Sequence, residues 1–214
     1  EIILKGPITS MLWKLGFPNI VAWFAWTMAT FADAFVLGIL GTKPLASIAL
    51  VFPFQMLMLM MAGGAIGGGT TSSVGRAIGN QDFIRAQSSC WHSLVICFFM
   101  SFIYTVIFFL FSREIFSFMG GRGEVLEGAI IYSNIFFGSS IFIWLVNILS
   151  AIIRGLGETY TPAKAITFGS FLQILLSAIF TLGIGFIPSF GIKGPAIAII
   201  LSHIGMVIYL LYYL

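Results

Sequence analysis

The sequence predicts an all-α membrane protein, folded as a bundle of six transmembrane helices. Of its 214 residues, 59% are hydrophobic and only 8% are charged, whereas an ordinary soluble domain has roughly 25% charged residues. A soluble protein of this composition could not cover its surface with polar groups. A spanning helix takes about 20 residues and is followed by a connector, so the length accommodates roughly six spans.

Long apolar runs alternate with short polar connectors along the whole chain. We therefore expect residues 1–214 to form a single lobe. The runs are too long for strands of a transmembrane barrel, which take about ten residues and alternate in polarity. Helices follow, because open backbone cannot face lipid. The predicted spans are 11–40, 45–75, 87–112, 125–153, 162–187 and 194–214.

The first span contains Asp33, about a third of the way in from the turn at Gly41. A charged Asp at this depth costs on the order of 3 kcal/mol, and such residues usually face a cavity or a proton relay. Lys and Arg lie only in connectors and at span ends, so no cation within a span is available to pair with it. We interpret Asp33 as a proton acceptor or small-cation ligand; the alternative is a hydrated residue near the helix end. Pro18 of the same span predicts a kink or a hinge.

The second and third spans contain features that we assign to packing. Gly63 with Gly67, and Gly64 with Gly68, give small-xxx-small faces that allow close helix approach. Cys90 and Cys97 lie seven residues apart on one helix, too far for a disulfide.

The remaining spans carry isolated polar side chains, most of which we expect to form hydrogen bonds between helices. Gln173 and Ser177 are four residues apart and therefore share one helix face. No nucleophile–base pair, carboxylate pair or metal-ligand set emerges, so neither an enzyme nor a metal site is predicted. A net charge of +3 is too small for nucleic-acid binding. The polar positions are Gln55, Asn134, Asn147, Gln173, Ser177 and His203.

The distribution of Lys and Arg favours a cytoplasmic N-terminus in a multi-pass protein of the plasma membrane. This orientation puts six basic residues inside and four outside. The inner set is Lys5, Lys14, Arg76, Arg85, Arg154 and Lys164, and the outer set is Lys43, Arg113, Arg122 and Lys193. The chain starts at Glu1 and stops within an apolar run, so we expect it to be part of a longer protein.

Five segments in order together resemble the multidrug and toxic compound extrusion (MATE) family of transporters. Three of the segments include the starts of the first, second and sixth spans. The other two include the connectors that follow the second and the fourth span. The segments are GPITSMLWKLGFP (6–18), VLGILGTKPLASIAL (36–50), SVGRAIGNQDFIRAQ (73–87), IIRGLGETYTPAKA (152–165) and GIKGPAIAII (191–200).

The resemblance implies the N-terminal six-helix lobe of a twelve-helix secondary transporter. Such transporters export amphipathic, often cationic compounds in exchange for H⁺ or Na⁺ by alternating access, with no cofactor beyond the coupling ion. The implied partners are the lipid bilayer, the small substrates, and a C-terminal lobe of the same chain or a second copy. Asp33 matches the carboxylate that binds the coupling ion, and Pro18 matches the bend of the first helix. Gln55 and Asn147 are expected to line the substrate cavity.

The fifth span departs from the family pattern. Many members carry Asn and, four residues later, Asp on its cavity face, whereas this chain has Gln173 and Ser177. A later Thr of the pattern is replaced by Ile199. Asp33 is therefore left as the one acid of the usual two-acid site, with Gln173 and Ser177 as its expected polar neighbours.

Two other functional classes remain open. One is a flippase of lipid-linked oligosaccharides or polysaccharides from the same superfamily, although such carriers tend to have cations inside the cavity and none is found in the interior of these spans. The other is a half-size transporter acting as a homodimer, or a membrane scaffold that transports nothing.

Overall fold

The computed structural model describes residues 8–184 and 187–214. Lys5 of the predicted inner set and positions 185–186 of the predicted fifth span lie outside the described residues. The described chain consists of helices joined by short connectors, which confirms the predicted all-α class.

Eight α-helices and one π-helical segment follow one another along the described residues. Five described segments are each long and apolar enough to cross a membrane, and α5 with α6 supplies a sixth as a bent pair. The helices are α1 (Ile8–Leu40), α2 (Thr42–Leu59), the π-helix (Met60–Ile66), α3 (Gly67–Gly79), α4 (Phe83–Phe118), α5 (Gly123–Gly138), α6 (Ser140–Gly155), α7 (Tyr160–Leu182) and α8 (Lys193–Tyr213).

The predicted fourth span, 125–153, is not one straight helix. It bends by 46° between α5 and α6, and the backbone at Ser139 leaves the helical conformation, with φ −114° and ψ 16°. Thr105 of α4 donates a hydrogen bond to the carbonyl of Phe137 at 2.7 Å, and Ser140 donates to the carbonyl of Ser101 at 3.2 Å. The Thr105 bond thus supplies a donor to one carbonyl of the interrupted backbone ladder, as a break inside a membrane requires, and the Ser140 bond joins the start of α6 to α4.

Two glycines change the predicted boundaries: one shortens a connector, and the other ends a helix earlier than predicted. The connector predicted at 41–44 is reduced to Gly41, whose φ of 120° is readily adopted by glycine, and α2 begins at Thr42. The fifth predicted span was expected to reach 187, but α7 ends at Leu182 because Gly183 adopts a left-handed conformation that caps the helix.

The glycine-rich end of the second span packs on α6 along one of its two predicted faces. A Cβ on Gly63 would lie 2.9 Å from Asn147 Oδ1, and one on Gly67 would lie 3.7 Å from the Cβ of Ala151. Gly64 and Gly68 have no such neighbour within 4 Å among the described residues. The π-helix, which the sequence analysis did not predict, lies in this same glycine-rich region.

The helices divide into two groups that meet around a cavity. An aromatic core joins α4, α5 and α6, with Tyr104, Phe108, Phe137 and Trp144 in mutual ring contact. On the other side α7 packs closely against both α1 and α8. α8 also contacts α5 and α6, and this arrangement leaves the space between α1, α2, α5, α7 and α8 partly open.

Candidate functional site

Asp33 belongs to the buried face of α1. Ala25, Ala29 and Leu37 stand at four-residue intervals from it and are all buried, and this spacing puts side chains on one helix face. α7 is the main packing partner of α1. The sequence therefore inserts one carboxyl group into a stripe of apolar side chains, where Asp33 keeps only 9% of its surface exposed.

A stripe of small and polar residues runs along α7. Gly169, Gln173, Ser177 and Thr181 follow one another at intervals of four, and all are buried. Gly169 allows Met206 of α8 to approach, since a Cβ there would overlap the Met206 side chain. Close packing on α8 thus fixes the rotation of α7 and, with it, the direction of the three polar side chains.

The two stripes meet at a hydrogen bond between Gln173 and Asp33. Gln173 Nε2 donates to Asp33 Oδ2 at 2.8 Å, and a hydrogen bond to a charged group contributes about 1.5–3 kcal/mol. Ser177 lies next to the same carboxyl group, although its hydroxyl forms no hydrogen bond with good geometry. Asp33 Oδ1 and Ser177 Oγ are both buried without a protein partner among the described residues. One carboxylate oxygen is therefore held by an amide, while the other and a hydroxyl remain available for a proton or a small cation.

A cavity of about 320 Å³ opens in front of this carboxyl group. Its wall is mainly apolar and aromatic, with contributions from Trp26, Phe52 and Phe136. The predicted cavity residue Gln55 lines it, as do Asp33 and Gln173. Among the described lining residues there is no Lys or Arg, and no group of three metal-ligating side chains is found in the described chain.

Two polar groups of the cavity wall were not assigned to it by the sequence analysis. Tyr132 of α5 is buried and accepts a hydrogen bond from Gln55 Nε2 at 3.1 Å. His203 of α8 lines the same cavity, and its Nδ1 lies 2.8 Å from the carbonyl oxygen of Ile199. Tyr132 gave no distinguishing signal in its apolar run, whereas His203 was noted only as one of several polar residues within spans.

The other two predicted site residues lie elsewhere. Asn147 does not line the cavity: its Nδ2 donates to the carbonyl of Ile143, one turn earlier on α6, at 2.8 Å, and its Oδ1 faces Gly63. Pro18 is half-buried within α1, about four turns before Asp33, and the helix continues through it.

A family model described as MatE matches residues 18–179. This chain belongs to the MATE family. The match confirms the resemblance to this family and identifies the bundle as part of a membrane transporter.

Curated relatives share this family over most of the chain. A protein named FAD transporter from Shewanella oneidensis is 26% identical over 200 residues, which make up 94% of this chain and 44% of the relative. The probable multidrug resistance protein NorM from Thermotoga maritima is 29% identical over 175 residues, 80% of this chain and 37% of the relative. The chain thus spans less than half the length of these curated relatives.

Solved MATE structures have the same fold as this bundle. A crystal structure of a MATE mutant, with a proline replaced by alanine, superimposes with a TM-score of 0.89 at 29% identity, covering 99% of this chain and 46% of that one. A MATE transporter in its outward-facing conformation gives 0.85 at 30% identity, covering 93% and 43%, and one in its inward-facing conformation gives 0.82 at 31%, covering 91% and 45%. The bundle is therefore about half of such a transporter, one lobe.

Proposed function

We propose that this chain is one lobe of a cation-coupled antiporter that exports amphipathic or cationic compounds by alternating access. The observation that carries the proposal is the one buried carboxyl group among the described residues, Asp33, which is held by Gln173 and faces a largely apolar cavity. The coupling ion is H⁺ or Na⁺. The complementary lobe is a C-terminal lobe of the same protein or a second copy.

Asp33 has the chemistry of a coupling group. When a proton or a cation neutralises its charge, the carboxyl group can stay in the helix interface. When neither is bound, the interface buries an uncompensated negative charge at considerable cost. Occupancy of this site therefore changes how tightly α1 packs on α7. Pro18 gives α1 a point at which it can bend in response, since its ring removes one backbone hydrogen bond.

The cavity wall favours a cationic, partly apolar substrate. Aromatic faces such as that of Trp26 attract cations and also bury apolar surface, and an ionised Asp33 adds a negative charge. The similarity of the lobe to both inward- and outward-facing MATE structures supports transport by movement of whole lobes around the substrate, the usual form of alternating access.

The absence of Lys and Arg from the described cavity lining argues against the flippase alternative. A pyrophosphate group, in a lipid-linked sugar or in FAD, is recognised by basic side chains. In this lobe it would meet a carboxyl group instead. Binding of a lipid pyrophosphate to the purified protein, in preference to an organic cation, would reverse this assignment.

Export of ethidium from cells that express the whole gene product tests the proposal. We expect Asp33→Asn to reduce export about 5- to 150-fold, the range of a typical coupling free energy. Asn retains an oxygen that can accept from Gln173, so the variant loses the ionisable group and keeps the hydrogen bond. Asp82→Asn is the matched control: Asp82 caps α4 from an exposed connector, and Asn caps a helix equally well. Equal export by both variants and the wild type would refute the role of Asp33.

A further inference from the structure

His203 is a buried imidazole in the wall of the cavity that contains Asp33. Its Nδ1 lies 2.8 Å from the carbonyl oxygen of Ile199. A carbonyl oxygen can only accept, so Nδ1 must carry the proton of this hydrogen bond. In the neutral ring Nε2 then carries the lone pair, and the structure gives Nε2 no partner among the described protein atoms. The backbone thus fixes one nitrogen as a donor and leaves the other to take up a proton.

Few ionisable groups share this cavity with His203. Asp33 of α1 and Tyr132 of α5 line it, and the polar groups from α2 and α7 are the amides of Gln55 and Gln173, which do not titrate. The charged residues of α8 and of the helices packed on it lie near helix ends, outside the described lining. They are Lys193 on α8, Glu124 and Glu127 on α5, Arg154 on α6 and Lys164 on α7.

We propose that His203 is a second proton-binding group of this cavity, which takes a proton on Nε2 and releases it when a cationic substrate binds. The proposal rests on the proposed function. The exchange balances in charge and atoms: imidazolium plus an entering cation gives neutral imidazole, the bound cation and one proton returned to water. The Nδ1–H bond to Ile199 stays intact throughout.

The physical reason for the exchange is that one carboxylate can offset one positive charge. In a cavity with low-dielectric walls, an imidazolium at His203 and a substrate cation held by Asp33 repel each other strongly. The weaker-held charge is the proton, because imidazole is the side chain that releases a proton most readily near neutral pH. A proton-coupled exchange thus becomes available to a lobe that has Ser177 instead of a second acid.

¹⁵N nuclear magnetic resonance of the imidazole rings in the full-length protein tests both steps. Difference spectra against His203→Gln and His92→Gln assign the two signals. We expect His203 Nδ1 to stay protonated across the titration while Nε2 takes up a proton as the pH is lowered. At a pH where His203 is charged, saturating tetraphenylphosphonium should return it to the neutral form. Nε2 that never binds a proton, or a signal that does not respond to bound probe, would overturn the proposal.

His92 provides a matched control for the probe effect. It is also helical, with Nδ1 facing the carbonyl of Ser88 at 2.6 Å, but its side chain is exposed on α4, away from the cavity. Its signal should therefore not respond to the probe. In the same samples, the wild type should release about one more proton per bound probe than His203→Gln, measured with a pH dye. If the probe fails to bind at all, the proposed substrate class is wrong; if it binds and both proteins release the same number of protons, only the role of His203 is wrong.

Discussion

At the scale of single residues, Ser177 determines how many charges the Asp33 site can hold. Its hydroxyl lies next to the carboxyl group and has no hydrogen-bond partner within the described protein. A second carboxylate at this position would face Asp33 directly. Two carboxylates in one site do not both stay ionised unless a cation binds between them; otherwise one of them takes up a proton.

We expect Ser177→Asp to tighten binding of the coupling cation by about tenfold or more, the effect of one neighbouring charge. The measurement is the concentration of H⁺ or Na⁺ that gives half-maximal ethidium export. Ser177→Asn is the control, because it adds a polar group of nearly the same size without the charge. If Asp and Asn at this position shift the midpoint equally, the change reflects packing and the two-charge explanation fails.

The sequence alone could predict some members of this site and not others. Asp33 was predictable because an acid within an apolar span is costly, whatever the neighbouring helices do. Gln173 and Ser177 followed from the family pattern, and the structure puts both beside Asp33. Tyr132 and His203 could not be assigned, because their side chains reach the cavity only through the rotation and crossing of α5 and α8. Asn147 is polar enough to line a cavity, but it bonds to its own helix.

At the scale of elements, hydropathy predicted the spans but not their interruptions. The predicted fourth span contains Gly138, Ser139 and Ser140, small residues that membrane helices tolerate, so nothing in its composition marks a break. The 46° bend between α5 and α6 depends on partners from α4 that are distant in sequence. The π-helix at Met60–Ile66 contacts α6, and its own apolar sequence likewise carries no signal of the interruption.

We expect Thr105→Val to destabilise the bundle by about 1–3 kcal/mol. The substitution conserves shape but leaves the carbonyl of Phe137, which Thr105 binds at 2.7 Å, without its donor at the break. Thr27→Val is a matched control, since Thr27 is a helical Thr that donates only to the carbonyl of its own helix, at Trp23. Thermal unfolding in detergent should show a clear loss for Thr105→Val and little change for Thr27→Val. Equal melting temperatures would mean that the bend does not need this bond.

At the scale of the whole molecule, the six-span prediction assigns several connectors to the same side of the membrane. These connectors lie together at one end of the bundle. Gly41, Gly191 and the start of α5 surround a single surface cleft. Lys43 pairs with Glu124 at 2.8 Å and Arg113 with Glu127 at 2.7 Å across these connectors. Both pairs are exposed and contribute little to stability, but they identify this end as one face.

The Lys and Arg distribution predicts that this end faces outward. Cysteine labelling tests it in a background with Cys90 and Cys97 replaced by alanine. Asn80→Cys reports the end with Arg76 and Arg85, and Ser117→Cys reports the opposite end; both positions are exposed. With a membrane-impermeant maleimide on intact cells, we expect only Ser117→Cys to react, and both to react after the membrane is opened. Labelling of Asn80→Cys alone on intact cells would invert the lobe and put the Gly41 end of α1, near which Asp33 lies, at the cytoplasmic face.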